Sequence, residues 1–417
     1  MRLEWMVVIV LAAFLAVAPV SSKAINLAWI LLFVFVLWLG VSQWQDQPKT
    51  QLSGEVSAAL YALISCFLVG FALKISMKLY WAEPVRSVSF ELNALLAAAS
   101  LLILARSASV SFRSAALLGA GLALASLLAV LQGYGYMFAG HPGPTNAVNW
   151  GAGMALFMCL ALSLAVCHKT CSTTKLLAVF SVVFFSVAIL VAGRRGAMFS
   201  ILWCSSVGVY FFFRDLSRQR KPALRLSALL VLMATVVLGA WMARGQLAAP
   251  FDRLLTAASE VKAIASSDTD RSQLMLGSLG SRWHMMGLGV DAAAASPWMG
   301  LGAVGRALVV ERAERDVKAP LFHLHNEYLQ DWVAYGVPGL LSVLSFPLGL
   351  LAAGLMLRRA NLGPAIALAG LGLVHFFNGL SNVNTFHNYY GTLFAVCVAL
   401  PFLLCAPRRR GQRPVAD

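Results

Sequence analysis

The chain has 417 residues, of which 60% are hydrophobic and only 12% are charged, and its formal net charge is +15. A soluble globular domain carries about a quarter charged residues, so this composition excludes one and indicates an integral membrane protein. In a soluble protein such a positive charge would suggest nucleic acid. In a membrane protein, the positive charge is better explained by Lys and Arg residues in loops, which set the orientation of the chain in the membrane. We therefore expect no nucleic-acid partner.

Long apolar runs divide the chain into twelve predicted transmembrane helices. Each run approaches the length that crosses a bilayer, and lipid offers backbone groups no partner outside their own helix. The predicted all-α fold has spans at 4–20, 25–42, 56–73, 90–105, 114–132, 149–167, 175–192, 197–213, 226–243, 331–357, 363–380 and 388–406. Residues 1–243 therefore hold nine spans, 244–330 form a loop with short helices, and 331–417 hold three spans and a short tail.

Twelve spans place both termini on one side, and the positive charges assign that side. Of the 32 Lys and Arg residues, 17 fall on the side of the termini, nine fall in the long loop and six fall in short loops opposite. Long loops cross a membrane regardless of their charge, so the informative comparison is 17 with six. We therefore predict cytoplasmic termini and an outer long loop.

Six cations in short outer loops oppose this rule and are therefore conspicuous: Lys23, Lys74, Lys78, Arg86, Arg194 and Arg195. Lys74 and Lys78 are four residues apart and share a helix face, so with Arg86 they predict a cationic patch for an anionic lipid. Snorkelling to lipid headgroups is an equal alternative.

Arg194 and Arg195 lie in a short turn between Gly193 and Gly196. A guanidinium group binds phosphate through two hydrogen bonds and stays charged. Because so short a turn keeps the charge near the membrane surface, we favour binding of an anionic substrate over simple snorkelling.

The long loop holds Arg282, at the start of a predicted short helix, and a Gly-rich turn at 296–302 that is a weak signal alone. Arg282 could reach a phosphate or could be a solvated charge. Asp268 and Asp270 resemble carboxylates that hold a metal on a nucleotide sugar. Their surroundings are polar, however, and the outer loop at 19–23 has no acid. We predict no metal site and no cofactor.

His323 and His325 precede Asn326 and the tenth predicted span. The partial positive charge of a helix N-terminus favours a neutral imidazole, which can take up a proton. The alternative is an interfacial capping histidine. The outer arginines favour a catalytic role for His325.

The chain has twelve predicted spans and three further features that follow one another. These are an outer turn ending in Arg195-Gly196, a long outer loop that contains Arg282-Trp283 and residues 297–302, and His325-Asn326 at the start of span ten. This order resembles the O-antigen ligase superfamily of Gram-negative bacteria. The resemblance implies a glycosyltransferase C-type fold and a glycan donor linked to undecaprenyl pyrophosphate. It also implies chemistry without metal. The motif arginines of the family fall on Arg195 and Arg282, and its motif histidine falls on His325. Arg194 departs from relatives, which often carry Ser or Thr there.

Within this superfamily we expect an inverting ligase that transfers O-antigen to a sugar hydroxyl of lipid A–core at the periplasmic face of the inner membrane. The expected catalytic residues are His325, Arg195 and Arg282. The expected substrate-binding residues are Arg194, Lys74, Lys78, Arg86, Asn326 and His323. The cationic patch would suit a phosphorylated acceptor. Protein-glycosylating members usually carry extra C-terminal sequence, whereas this chain ends soon after span twelve.

Four alternatives remain open. An O-antigen polymerase has the same parts and is the nearest, followed by the protein-glycosylating ligase. From another class, a twelve-span secondary transporter would carry ionisable residues near mid-membrane, whereas here they cluster at the outer surface. A scaffold without chemistry would leave the outer arginines and histidines unexplained.

Overall fold

The structure is a computed structural model that describes residues 3–45, 52–106, 112–138, 143–167, 172–192, 197–204, 206–207, 278–318 and 321–404. The regular elements named within these ranges are helices. They are α1 (Leu3–Val17), α2 (Ser22–Gln45), α3 (Gly54–Tyr80), a 3₁₀ turn (Val85–Ser87), α4 (Ser89–Arg106), α5 (Phe112–Phe138), α6 (Ala147–Val166), α7 (Ser172–Val191), α8 (Ser278–Ala295), α9 (Gly302–Val317), α10 (Glu327–Leu357), α11 (Leu362–Gly379), α12 (Asn388–Ala399) and α13 (Pro401–Leu404).

Eight helices of the described chain are long and apolar enough to cross a membrane, namely α2 to α7, α10 and α11. They match eight of the twelve predicted spans and make the protein a multi-pass membrane protein. The first predicted span appears as the shorter apolar helix Trp5–Val17, and the last is divided into α12 and α13 at Leu400. The eighth span is described only in part, and the ninth lies outside the described residues.

The bundle is organised around α6, where 94% of the apolar window is buried. Its neighbours α7, α11 and α12 pack against it, and α10 packs against α3 and α11. Small residues bring these helices close together. A side chain at Gly70 of α3 would collide with Ser345 and with the carbonyl of Ser342 on α10, so glycine is needed where α3 and α10 meet.

The N-terminal part of α10 is broken at Gly336, whose φ of 63° and ψ of −155° are open almost only to glycine. The turn 297–301, which the sequence alone marks only weakly, packs into this break. The backbone amide of Val337 donates to the carbonyl of Pro297 at 2.8 Å, and the amide of Leu301 donates to the carbonyl of Val333 at 2.9 Å. These bonds fix the loop helices α8 and α9 to the first segment of α10.

Candidate functional site

The turn before α10 holds both predicted histidines in a fixed conformation. Asn326 caps the helix, since its Oδ1 accepts from the amide of Leu329 at 3.0 Å. His325 has a φ of 52°, a left-handed conformation that is uncommon outside glycine. Its amide donates to Nδ1 of His323 at 3.2 Å, and the amide of Leu324 donates to Oε1 of Gln330 at 3.1 Å. These local bonds hold the strained turn and place His325 at the mouth of α10.

The two imidazoles are half-buried and neutral at physiological pH. Their rings meet edge to face at a centroid distance of 4.3 Å. Burial, followed by the charges of His323 and Arg282, lowers the pKa of His325 to about 4. Burial, followed by His387 and then Arg282, lowers the pKa of His323 to about 4. Since Nδ1 of His323 accepts a hydrogen bond, its neutral form carries the proton on Nε2.

Packing of α8 against α10 explains why Arg282 influences both histidines. Arg282 and Gly289 are seven residues apart and share a face of α8. A side chain at Gly289 would press on Leu329 and Leu324, so this face lies directly against the histidine turn. Ala293, one turn further, joins the small buried cluster that includes Leu324 and Leu329. The sequence placed Arg282 on a short helix, and the structure brings that helix to His325.

Glu327 ties the histidine turn to the loop between α11 and α12. Its side chain is 1% exposed, and its Oε1 accepts from the amide of Thr385 at 3.1 Å. Beside Thr385, Asn382 donates to Oδ1 of Asn149 at 2.7 Å and to Oδ1 of Asn384 at 3.2 Å. The sequence alone assigned no role to these residues. Their packing holds His387 near His323.

Lys74 and Lys78 are the clearest correction to the sequence interpretation. They are only 5% and 6% exposed, so they do not form the predicted exposed patch. Nζ of Lys74 lies 2.5 Å from Oδ2 of Asp331 and 3.9 Å from Oε1 of Glu91. Nζ of Lys78 lies 3.2 Å from Oε2 of Glu83 and donates to the hydroxyl of Tyr335 at 3.0 Å. The two ammonium groups turn inward because carboxylates from α10, α4 and the α3–α4 loop face them.

The same network reaches the start of α9 through Glu83. Its Oε1 accepts from the amide of Ala303 at 2.5 Å, and its Oε2 accepts from the hydroxyl of Tyr335 at 2.6 Å. Burial alone would raise the pKa of Glu83, but these hydrogen bonds and Lys78 hold it below its usual value. The two lysines therefore position α9 and the first segment of α10, which directly follows the histidine turn.

Removing one member of the buried pair Lys74–Asp331 should destabilise the protein strongly. Lys74→Met leaves buried carboxylates without their cation, a loss of roughly 3–5 kcal/mol. The double variant Lys74→Met, Asp331→Leu should recover part of that loss, because no unpaired charge remains at either position. Thermal unfolding in detergent measures both. Lys23→Met, at an exposed lysine, is the matched control. If Lys74→Met melts like Lys23→Met, the pair does not stabilise the fold.

The remaining predicted residues are placed as follows. Arg282 is partly exposed on α8, Asn326 caps α10, and Arg86 lies in the 3₁₀ turn Val85–Ser87. Four residues lie outside the described residues: Arg194, Arg195, Asp268 and Asp270. The structure thus brings together His323, His325, Arg282 and Asn326, while Lys74 and Lys78 belong to the supporting network.

Residues 180–344 match a family model described as O-Antigen ligase. The matched segment begins in α7, includes α8 and α9, and ends inside α10, so it contains the whole histidine turn and Arg282. The resemblance inferred from the order of sequence motifs is thereby confirmed. No curated protein matches the chain.

Proposed function

From this O-antigen ligase domain in a multi-pass membrane protein, we propose that the chain transfers glycan from undecaprenyl pyrophosphate to a sugar hydroxyl of lipid A–core. The reaction takes place at the periplasmic face of the inner membrane of a Gram-negative bacterium, within a glycosyltransferase C-type architecture. The observation that supports it best is the neutral imidazole of His325, held at the mouth of α10 beside Arg282 within the matched domain.

Two chemical problems limit such a transfer, and the proposed residues address each. The acceptor hydroxyl is a poor nucleophile, so His325 takes its proton as the new bond forms to the anomeric carbon. The bond from that carbon to the pyrophosphate breaks, and negative charge develops on the leaving group. Arg282 and Arg195, with Arg194 beside it, bind the pyrophosphate and stabilise this charge. A direct displacement inverts the anomeric centre and releases undecaprenyl pyrophosphate.

The low pKa of His325 is compatible with its proposed role as the base that takes the hydroxyl proton. A base with a pKa of about 4 stays neutral at working pH but takes up a proton weakly. Burial causes most of the lowering, and the Arg282 cation contributes to it. A pyrophosphate bound at Arg282 opposes the cation and adds negative charge, which raises the pKa of the imidazole. Binding of the donor therefore makes His325 a stronger base at the point when a base is needed.

The matched family supports the superfamily of ligases and polymerases, and within it the ligase is the proposal, although the buried Lys74 and Lys78 supply no cationic surface for the acceptor. His323, Asn326 and Arg86 remain proposed contacts to substrate. The donor binds through its pyrophosphate group. Lipids of the outer leaflet of the inner membrane surround the bound donor.

The lipopolysaccharide ladder of cells that lack this protein tests the assignment. A ligase should leave intact lipid A–core without any O-antigen band, while glycan accumulates on its polyprenyl carrier. A plasmid copy should restore the ladder, and one carrying His325→Ala should not. Retention of a single repeat on the core would instead show a polymerase. An unchanged ladder with loss of glycoprotein would show a protein-glycosylating ligase.

Transfer should not depend on a divalent metal. The outer loop at 19–23 contains no acid, and Asp268 and Asp270 form an isolated pair in the sequence. We expect the purified protein to retain its activity in EDTA and in the double variant Asp268→Ala, Asp270→Ala. Measured initial rates that fall to background in EDTA and return with Mg²⁺ or Mn²⁺ would contradict this expectation.

A further inference from the structure

An exposed apolar surface follows the outer end of α3 and continues onto α9. It comprises Leu79 and Tyr80 at the end of α3, Trp298 in the turn before α9, and Val304 and Leu308 in the first half of α9. We call these five residues the apolar ridge. Trp298 is 71% exposed and Val304 is 77% exposed. So many exposed apolar side chains in adjoining segments indicate a contact with another apolar phase.

The start of α9 is fixed to the end of a membrane span. The indole Nε1 of Trp81, one residue beyond α3, donates to the carbonyl of Met299 at 3.0 Å. The ring of Trp81 lies against Gly302, and Glu83 accepts from the amide of Ala303. Since α3 is long and apolar enough to cross the membrane, α9 begins at the level where that span leaves the membrane.

One face of α9 carries apolar side chains in its first half and charged side chains in its second half. Val304, Leu308, Glu311 and Arg315 are exposed, and their spacing of three or four residues puts them on the same face. The first two are apolar and the last two are charged. Because a helix rises 1.5 Å per residue, the change takes place over roughly 16 Å. The apolar part of this face is the part nearest to the span.

We propose that the first two turns of α9, together with Trp298, lie in the outer-leaflet interface of the bilayer, while the charged second half rises into water. The ridge continues the exposed apolar surface of α3, which lipid covers. Trp and Tyr prefer this interface at the ends of spans, and interfacial helices bury an apolar face by about 5–10 Å. The occupant of the ridge is therefore the lipid of the same bilayer.

This contact would hold the loop helices at a constant height above the membrane. Val310 of α9 belongs to the buried cluster with Leu324 and Leu329, so α9 packs against the histidine turn. The surface is independent of the proposed reaction, and its test needs no substrate.

Spin labels on the exposed face test the proposal in nanodiscs made of phosphatidylethanolamine and phosphatidylglycerol. The labels are attached at Val304→Cys, Leu308→Cys, Glu311→Cys and Arg315→Cys, and the labelled unmodified protein corrects for native cysteines. All four positions are exposed, and an unchanged elution profile checks the fold. Collisions with oxygen, which partitions into lipid, and with a water-soluble nickel chelate are measured at each position.

We expect the ratio of oxygen to nickel collisions to be higher at 304 and 308 than at 311 and 315. Equal ratios typical of water at all four positions would overturn the proposal. Strong coupling between labels at 304 on two copies would overturn it in favour of a protein interface. Nickel access at 304 that is lost only when polyprenyl donor is added would overturn it in favour of a donor site.

Discussion

His325→Ala is expected to lower glycan transfer by a factor of roughly 10² to 10⁴, the usual contribution of a positioned general base. The donor should still bind, because the proposal assigns its pyrophosphate to the arginines and not to His325. Rates from single turnovers with labelled donor and rough lipopolysaccharide measure the loss, and binding of the labelled donor is measured separately.

His323→Ala is the matched control, since both imidazoles lie in one turn and touch each other. It removes the acceptor for the amide of His325 but leaves the proposed base in place. We expect most activity to remain. If His323→Ala is the more damaging change, the base has been assigned to the wrong histidine. If His325→Ala abolishes donor binding, His325 is a pyrophosphate ligand.

Arg282→Lys is expected to be nearly as damaging as Arg282→Ala, with losses of roughly 10² to 10³ in turnover, as for removal of one donor to a developing anion. Lysine keeps the charge but cannot reproduce the planar pair of hydrogen bonds. Steady-state kinetics with both substrates measures this loss. Arg312→Lys, at an exposed position of α9, should leave the rate unchanged.

The influence of Arg282 on the pKa of His325 provides a second test of the role of Arg282. Because the cation lowers the pKa of His325, Arg282→Gln should move the acid limb of the pH profile upward. A profile unchanged from the wild type, or an Arg282→Lys variant with full activity, would remove Arg282 from the site.

The sequence predicted the membrane class, eight of the spans and the histidine turn because each depends on local pattern. Apolar length defines a span, and Asn326 marks a helix start four residues before the predicted boundary at 331. Arg282 was found by its position in a motif. Its packing depends on Gly289, whose role becomes visible only when α10 lies against it.

Lys74 and Lys78 show what a local pattern cannot supply. A spacing of four puts them on one face of α3, but the sequence does not say whether that face meets lipid or protein. Asp331 lies 257 residues from Lys74, so only tertiary packing reveals the pair. The break at Gly336 was missed for a related reason, because an apolar run gives no sign that another segment enters the backbone there.

The pH dependence of kcat/KM, compared between the wild type and His325→Ala, tests the central claim most directly because it reports the free enzyme. The folded pKa of His325 lies below its unfolded value of about 6.5, so the stability from burying it neutral is present above that pH and declines towards pH 4. Brief assays followed by a return to neutral pH therefore separate lost activity from unfolding. We expect the wild type to transfer glycan to lipid A–core with an acid limb well below pH 6.5, and His325→Ala to show a low rate without that limb. Absence of transfer by the wild type, or the same limb in His325→Ala, would contradict the account.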